Sequence, residues 1–149
     1  MPRAQFAHRV VISVPPAAVW AALQEPGTWA HVGPVREVWD AEFEDDVLIG
    51  YRWSAQAGPR AIEGRAVTRQ ARAPELMVID LEAGEVRGMI TAELEPEAGG
   101  TAIAVQISLE TAGLLASLFW GPLTAVLESG FPQQVSDLAR TIEAGAPGG

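Results

Sequence analysis

The sequence predicts an α+β fold in which a curved antiparallel sheet of seven strands grips one long C-terminal helix. Three observations lead to this prediction: a strand opens the chain, six strand-like segments follow within residues 35–111, and a long helical segment ends it. The breaks between the strands are too short for parallel crossover connections, so neighbouring strands run antiparallel. Such a sheet buries one apolar face, and the C-terminal helix is the only large apolar element left to cover it.

The first strand is predicted over Phe6–Val14, where apolar and polar residues alternate. A Pro-Pro pair at residues 15 and 16 ends it, and the second proline suits the first turn of a helix. This helix is expected to end near residues 26 and 27. Thr28–Gly33 is predicted as a second short helix or a turn, which places two short helices between strands 1 and 2.

Six further strands are predicted from period-two alternation, and clusters of Gly, Pro and acidic residues separate them. Their expected bounds are Arg36–Phe43, Leu48–Gln56, Arg60–Gln70, Glu75–Leu81, Val86–Glu95 and Thr101–Glu110.

The last third begins with 17 uncharged residues, Thr111–Leu127. This run is shorter than the roughly 20 residues that cross a bilayer, so it predicts a helix on the sheet and no transmembrane segment. Pro132 predicts a kink near Ser129–Phe131. A helical wheel predicts a core-facing stripe of Leu115, Leu118, Phe119, Pro122 and Val126, with Trp120, Leu127 and Phe131 on another side. Trp120 is therefore expected to make a homodimer contact, a lid contact or a second internal contact.

Length and composition limit the function. The 149 residues, 48% apolar, predict one domain over residues 1–144 and a flexible tail at 145–149. The net charge of −9 disfavours nucleic acid. The chain has no Lys and no Cys, which excludes Schiff-base and thiolate chemistry, and its two His cannot form a dense metal site. We expect no cofactor and no metal, and a cytoplasmic location because no signal-like apolar run follows the N-terminus.

Three blocks of sequence resemble the START-like, Bet v 1-type (SRPBCC) superfamily, which includes polyketide cyclase/dehydratase-like proteins of bacteria. They are Val11–Leu23 with Pro26 and Trp29, then Ala73–Leu76, and Leu94–Pro96 followed by Gly100 and Thr101. The resemblance covers essentially the whole chain and implies a helix-grip fold with a cavity between sheet and helix. Because the superfamily contains lipid and hormone binders, chaperone-like modules and aromatase/cyclases, it leaves the function open.

The strongest site candidates are Tyr51 and Trp53, which share one face of the third strand with Ile49. They predict an aromatic pocket wall with the Tyr hydroxyl as its polar anchor, although ordinary core packing is the alternative. The full predicted ligand-binding set is Tyr51, Trp53, Ile62, Gly64, Met77, Ile79, Gly88, Ile90, Ile107, Leu115, Leu118, Phe119 and Leu123. The expected mouth lies at Ala57–Pro59, Ala83–Glu85 and the start of the long helix. The glycines open volume for a ligand or allow strand curvature.

Catalytic candidates are few. His8 is the one titratable group on an apolar strand face and is a possible general base, and Tyr51 is a second weak candidate. Catalysis needs at least two convergent polar groups, and the sequence names no partner for either residue. His31 is expected at the pocket mouth or on an exposed loop. The acidic run Glu44–Asp46 lacks the spacing of a calcium loop and predicts a hairpin tip.

In the aromatic polyketide aromatase/cyclases of this superfamily, the fourth strand sends paired Trp side chains and an Arg inward. The matching inward positions here hold Ile62, Gly64, Ala66 and Thr68. The favoured function is therefore non-enzymatic binding of a small hydrophobic ligand that is lipid-, polyketide- or isoprenoid-like. A cyclase/dehydratase-type enzyme using the same cavity is the alternative, and a module that contacts a partner protein is a third possibility.

Overall fold

The computed structural model describes residues 3–30, 35–57, 60–111 and 114–145. Its elements are β1 Arg3–Ile12, α1 Pro16–Leu23, α2 Pro26–Trp29, β2 Val35–Glu44, β3 Val47–Ala57, β4 Arg60–Arg72, β5 Leu76–Ala83, β6 Val86–Glu97, β7 Gly100–Thr111 and α3 Leu114–Gly145. The seven strands form one antiparallel sheet in the order β1-β7-β6-β5-β4-β3-β2. The predicted α+β grip, with two short helices between the first two strands, is confirmed.

Tight turns connect the strands of the meander wherever the connection lies within the described residues. Asp45 and Asp46 have positive φ values of 50° and 64° between β2 and β3, and Gly84 and Gly99 adopt positive φ in the β5–β6 and β6–β7 turns. Asp and Gly are the residues that tolerate this conformation most readily. The acidic run at residues 44–46 is thus a hairpin tip, as predicted.

The inner face of the sheet follows the predicted alternation. In β4, Ala66 is buried and Ile62 is half-buried, whereas Arg65 and Val67 are exposed on the other face. In β7, the strongly buried side chains recur at alternate positions through Ile107. The helix α3 covers this face and packs mainly on β1. No helix in the described ranges is long and apolar enough to cross a bilayer.

The predicted core-facing side of the long helix is wrong. Leu127 and Phe131 are fully buried, and the Phe131 ring lies 6.2 Å from that of Phe6 on β1, whereas Pro122 and Val126 are only half-buried. The buried positions continue as Val135, Leu138, Ala139 and Ile142. Steps of three and four residues join these positions to Leu127 and Phe131, so they form one continuous stripe.

Element ends differ slightly from the predictions. The first strand spans Arg3–Ile12, and Ser13 and Val14, which were expected to continue it, form a bend. Both short helices have Pro at the start, where its missing N–H costs nothing. The helix α3 continues through Pro122 and Pro132 as one element. Residues 31–34, and residues 146–149 of the predicted tail, lie outside the described residues.

A buried glutamine connects the short helices to the sheet. Gln24 follows α1, and its Oε1 accepts a hydrogen bond from the Leu48 backbone N–H at 2.9 Å. Its Nε2 donates to the Trp20 carbonyl oxygen at 3.2 Å and to Met77 Sδ at 3.7 Å. The amide therefore satisfies a strand N–H that would otherwise be buried without a partner.

We expect Gln24→Leu to lower the free energy of unfolding by about 1–3 kcal/mol, because the Leu48 N–H loses its acceptor in a buried position. Urea denaturation measures this. Gln70→Leu, at an exposed position of β4, is the control and should change stability little. Equal effects of the two variants would contradict the role given to Gln24.

An acidic side chain ties the end of the long helix to the end of β1. Glu143 Oε2 accepts from the Ser13 backbone N–H at 2.9 Å and from Ser13 Oγ at 2.5 Å. The side-chain and backbone hydrogen bonds from Ser13 lower the pKa of Glu143. Because the folded pKa is depressed, this contact stabilises the fold above the unfolded pKa and is lost as the pH falls.

Acidification should therefore remove part of the stability difference between the wild type and Glu143→Gln. The difference in unfolding free energy should be larger at neutral pH than at about pH 3, with the change falling in the carboxyl range. Denaturation series across this pH range measure it. The control is Glu128→Gln, an exposed position of the same helix. A difference that grew on acidification would refute the assignment.

Candidate functional site

A cavity of about 50 Å³ lies between the inner face of the sheet and α3. It sits where β2 begins and where the β5–β6 hairpin turns. Its described lining residues are Trp29, Val35, Tyr51, Trp53, Ala55, Ile62, Leu81, Glu82, Ala83, Val86, Ile90, Ile107, Leu109 and Leu127. The lining is almost entirely apolar, which is typical of a site for a hydrophobic molecule.

A larger depression, about 950 Å³, lies on the outer face of the sheet. It is open to solvent, and six of the seven charged side chains among its described lining residues form ion pairs with one another. These pairs are Arg3–Glu110, Arg69–Asp80 and Arg87–Glu82. Such exposed pairs contribute little individually and are ordinary for a solvated sheet face. The apolar inner cavity is therefore the better candidate despite its smaller volume.

Tyr51 occupies the inner face of β3, opposite Ala66 of β4. Only 6% of its surface is exposed. Its hydroxyl has no hydrogen-bond partner among the described residues. Burial raises the pKa of Tyr51 far above its ordinary value, so the phenol keeps its proton at neutral pH.

Trp53 lies two residues further along the same face and is 8% exposed. Its indole Nε1–H is buried and has no hydrogen-bond partner. Trp29, which also lines the cavity, differs in this respect, because its Nε1–H donates to the Leu23 carbonyl oxygen at 2.9 Å. Trp53 is thus a buried donor without an acceptor, a rare and costly arrangement.

The indole of Trp53 lies across Gly64, its partner on β4. A Cβ atom at Gly64 would come within 2.4 Å of Trp53 Cζ2 and 2.6 Å of the Glu82 carbonyl oxygen. At Gly88, a Cβ atom would come within 2.6 Å of Leu109 Cδ2. Neither glycine is among the lining residues. The absence of a side chain at these glycines leaves space for Trp53 and Leu109, which do line the cavity.

The other predicted site residues divide into three groups. Ile62, Ile90 and Ile107 line the cavity together with Tyr51 and Trp53. Met77 and Ile79 are fully buried but lie outside the lining. The side chains of Leu115, Leu118, Phe119 and Leu123 lie outside the described part of the structure.

Several lining residues escaped the sequence prediction. Leu109 follows Ile107 on the same face, so extending the alternation by one step would have found it. Leu127 was missed because the helical wheel predicted that a different side of α3 faces the sheet. Trp29 was noted only as part of a sequence block that resembles the superfamily. The neighbouring sequence does not indicate that its ring reaches the cavity.

The predicted mouth is only partly described: Ala83 lines the cavity, and Gly58 and Pro59 lie outside the described residues. The two His candidates do not join Tyr51. His8 is half-buried on the face of β1 that meets α3 and is absent from the lining, and His31 lies outside the described residues. The Glu82 carboxylate pairs with Arg87 at 2.7 Å on the outer face. Within the described ranges, no group of three or more acidic or His side chains could hold a metal.

Trp120 of α3 is half-buried and packs against the core of its own chain. This is an internal contact, one of the three roles expected of it. The contact covers part of the ring without a second copy of the chain.

Comparison with known proteins identifies the relationship. The sequence model of a family described as "Polyketide cyclase / dehydrase and lipid transport" matches residues 3–143. No curated protein matches.

Three solved structures illustrate the likeness in fold. The Zhui aromatase/cyclase from Streptomyces sp. R1128 is 14% identical with a TM-score of 0.75, and the match covers 97% of this chain and 99% of that one. A conserved protein from Geobacillus kaustophilus is 14% identical with a TM-score of 0.69, over 96% and 97% of the two chains. Ara h 8.0201 is 14% identical with a TM-score of 0.62, also over 96% and 97%.

We expect Gly64→Ala to destabilise the fold by about 1–3 kcal/mol and to displace the Trp53 indole, because the added methyl group meets the ring and a backbone oxygen. Denaturant unfolding measures the first effect and the Trp emission maximum the second. Gly121→Ala on α3 is the control, since a Cβ there meets nothing within 4 Å. A Gly64→Ala protein as stable as wild type would show that the indole does not hold this position.

Proposed function

Because the chain belongs to the polyketide cyclase/dehydrase and lipid transport family, we propose that it binds a small hydrophobic molecule in the cavity between the sheet and α3. The observation that carries this proposal is the almost wholly apolar lining around Tyr51 and Trp53. Burial of apolar surface yields about 25 cal/mol per Å², so a lining of this kind supplies affinity without charge. The two polar groups would orient the ligand.

The size of the cavity bears on the ligand. At about 50 Å³, it is smaller than the roughly 300–1,000 Å³ of typical ligand pockets. A lipid-, polyketide- or isoprenoid-like molecule would therefore widen the cavity as it enters. Leu127 on α3 and Val35 at the start of β2 both line the cavity and belong to different elements. Movement of one element against the other would provide the volume.

A cyclase/dehydratase-type activity in the same cavity is the second candidate, and the family description supports it. The chemistry of the lining supports binding instead. A tyrosine is already protonated at neutral pH and is therefore a poor general base, and burial raises the pKa of Tyr51 further, which makes it a weaker acid. His8, the other candidate, does not line the cavity. General acid–base catalysis would thus lack a second group among the described lining residues.

Two further expectations belong to this proposal and stay predictions. One is a cytoplasmic location. The other is a homodimer or lid contact through Trp120, which sedimentation equilibrium of the wild type and Trp120→Ala checks. If the wild type is monomeric, Trp120 has no role in a homodimer, and its contact is with the core of its own chain.

A substitution that fills the cavity tests the binding site. N-phenyl-1-naphthylamine, a neutral probe whose fluorescence rises in apolar surroundings, replaces the unidentified ligand. Ala55→Leu places three additional carbons at a lining position and should weaken probe binding about tenfold or more, equivalent to about 1.4 kcal/mol.

The matched control is Ala61→Leu, at an exposed position of β4. Circular dichroism confirms that each variant is folded. Unchanged binding by folded Ala55→Leu, or equal weakening in both variants, would place the probe elsewhere and contradict the proposed site. Turnover of a polyketide-like ketone that disappears in Tyr51→Phe with binding intact would favour the enzyme.

A further inference from the structure

We propose that the ligand of this cavity carries an uncharged hydrogen-bond acceptor, such as a ketone or ester oxygen, which accepts from Trp53 Nε1–H and lies beside the Tyr51 hydroxyl. The inference rests on the proposed function and names the chemical class of its ligand. A purely hydrocarbon molecule would leave both groups unpaired.

Trp53 contributes a buried, unpaired hydrogen-bond donor. Its side chain is more than nine-tenths buried and lines the cavity, and Nε1 has no acceptor within the protein. An indole N–H can only donate. A buried donor without a partner destabilises the protein, so an acceptor that enters the cavity recovers free energy that the empty protein lacks.

Tyr51 contributes a second hydrogen-bond donor among the lining residues. Residues two apart on a strand point to the same side, so the hydroxyl and the indole N–H belong to one wall of the cavity. Tyr51 is also more than nine-tenths buried, and no described residue forms a hydrogen bond with its hydroxyl. Because burial raises its pKa, the hydroxyl remains a donor at neutral pH. Two donors on one wall favour an oxygen that accepts two hydrogen bonds.

The described lining provides no cationic side chain for an anionic ligand. Among the described lining residues, none is Arg or His, and Glu82 directs its carboxylate to Arg87 on the outer face. A carboxylate ligand would lose its hydration without gaining a cation, which costs far more than two neutral hydrogen bonds return. The acceptor is therefore uncharged.

The other buried polar side chains show that unpaired groups are not a general feature of this core. Thr101 Oγ1 donates to the Val14 carbonyl oxygen at 2.6 Å, Trp29 to Leu23, and Gln24 is bonded through both atoms of its amide. Among the described residues, one buried side-chain nitrogen or oxygen lacks a hydrogen-bond partner, Trp53 Nε1. This unpaired donor belongs to a side chain that lines the cavity.

The test compares three probes of similar size: acetophenone, which has a neutral acceptor, ethylbenzene, which has none, and benzoate, which is anionic. Each is titrated into ¹⁵N-labelled full-length protein. The five tryptophans give five indole N–H signals. The Trp53 signal is identified by its loss in Trp53→Phe, or by elimination with the other four Trp→Phe variants if that protein does not fold.

We expect acetophenone to bind about threefold to tenfold more tightly than ethylbenzene, and benzoate to bind most weakly. Acetophenone should move the Trp53 indole proton downfield and leave the Trp29 signal in place, since the latter already has an acceptor. The preference for acetophenone should disappear in Trp53→Phe and diminish in Tyr51→Phe. Trp20→Phe, on α1 outside the lining, is the control and should retain it.

The outcomes separate the inference from the proposed function. Equal affinity for ethylbenzene and acetophenone would overturn the inference and leave hydrophobic binding standing. Tightest binding by benzoate would overturn the uncharged acceptor in the same way. If no probe shifts Trp53 or any signal of the cavity lining, the proposed function fails and the inference fails with it.

Discussion

One constraint governs this fold: a seven-stranded curved sheet has a single apolar face and one long helix to cover it. Twist carries the strands away from any straight element laid across them, so the contact is close in some places and open in others. Contact is close at β1, where the Phe6 and Phe131 rings meet and α3 packs most extensively. Toward the β5–β6 hairpin the sheet and helix separate, and the cavity occupies that gap. Both the core and the candidate site therefore follow from the same mismatch in shape.

Buried polar groups are treated differently in the two regions. Where α1 and α2 close onto the sheet, each buried polar side chain has a defined partner, and Gln24 even supplies the acceptor for a strand N–H. At the cavity wall, Tyr51 and Trp53 have none. Local chain geometry explains the contrast, because short helices offer free carbonyl oxygens at their ends, whereas the carbonyls of a central strand are already used by the sheet ladder.

Most of the fold could be predicted from the sequence, because it depends on local patterns. Period-two alternation set the inward face of β4, and acidic or Gly residues marked the hairpin turns. The orientation of α3 could not be read from residues 114–127, since a segment apolar on nearly every side has no preferred face. The amphipathic half that ends at Ile142 would have indicated Leu127 and Phe131. Within the site, Tyr51 and Trp53 were accessible to the alternation rule. Gly64 was noticed, but its role depends on the Trp53 ring across the ladder, a contact that one strand alone does not reveal.

The small volume of the cavity is itself a consequence of close packing. Enlarging an apolar cavity from about 50 Å³ to the roughly 300 Å³ of a typical pocket, without filling it, would cost on the order of 6 kcal/mol at about 24 cal/mol per Å³. An open, empty form would therefore be populated far below one part in a thousand. The ligand must supply the atoms that fill the widened space, so measured affinity is the contact energy less the cost of widening. A ligand therefore binds most tightly when its oxygen also accepts a hydrogen bond from Trp53. This hydrogen bond strengthens binding without widening the cavity further.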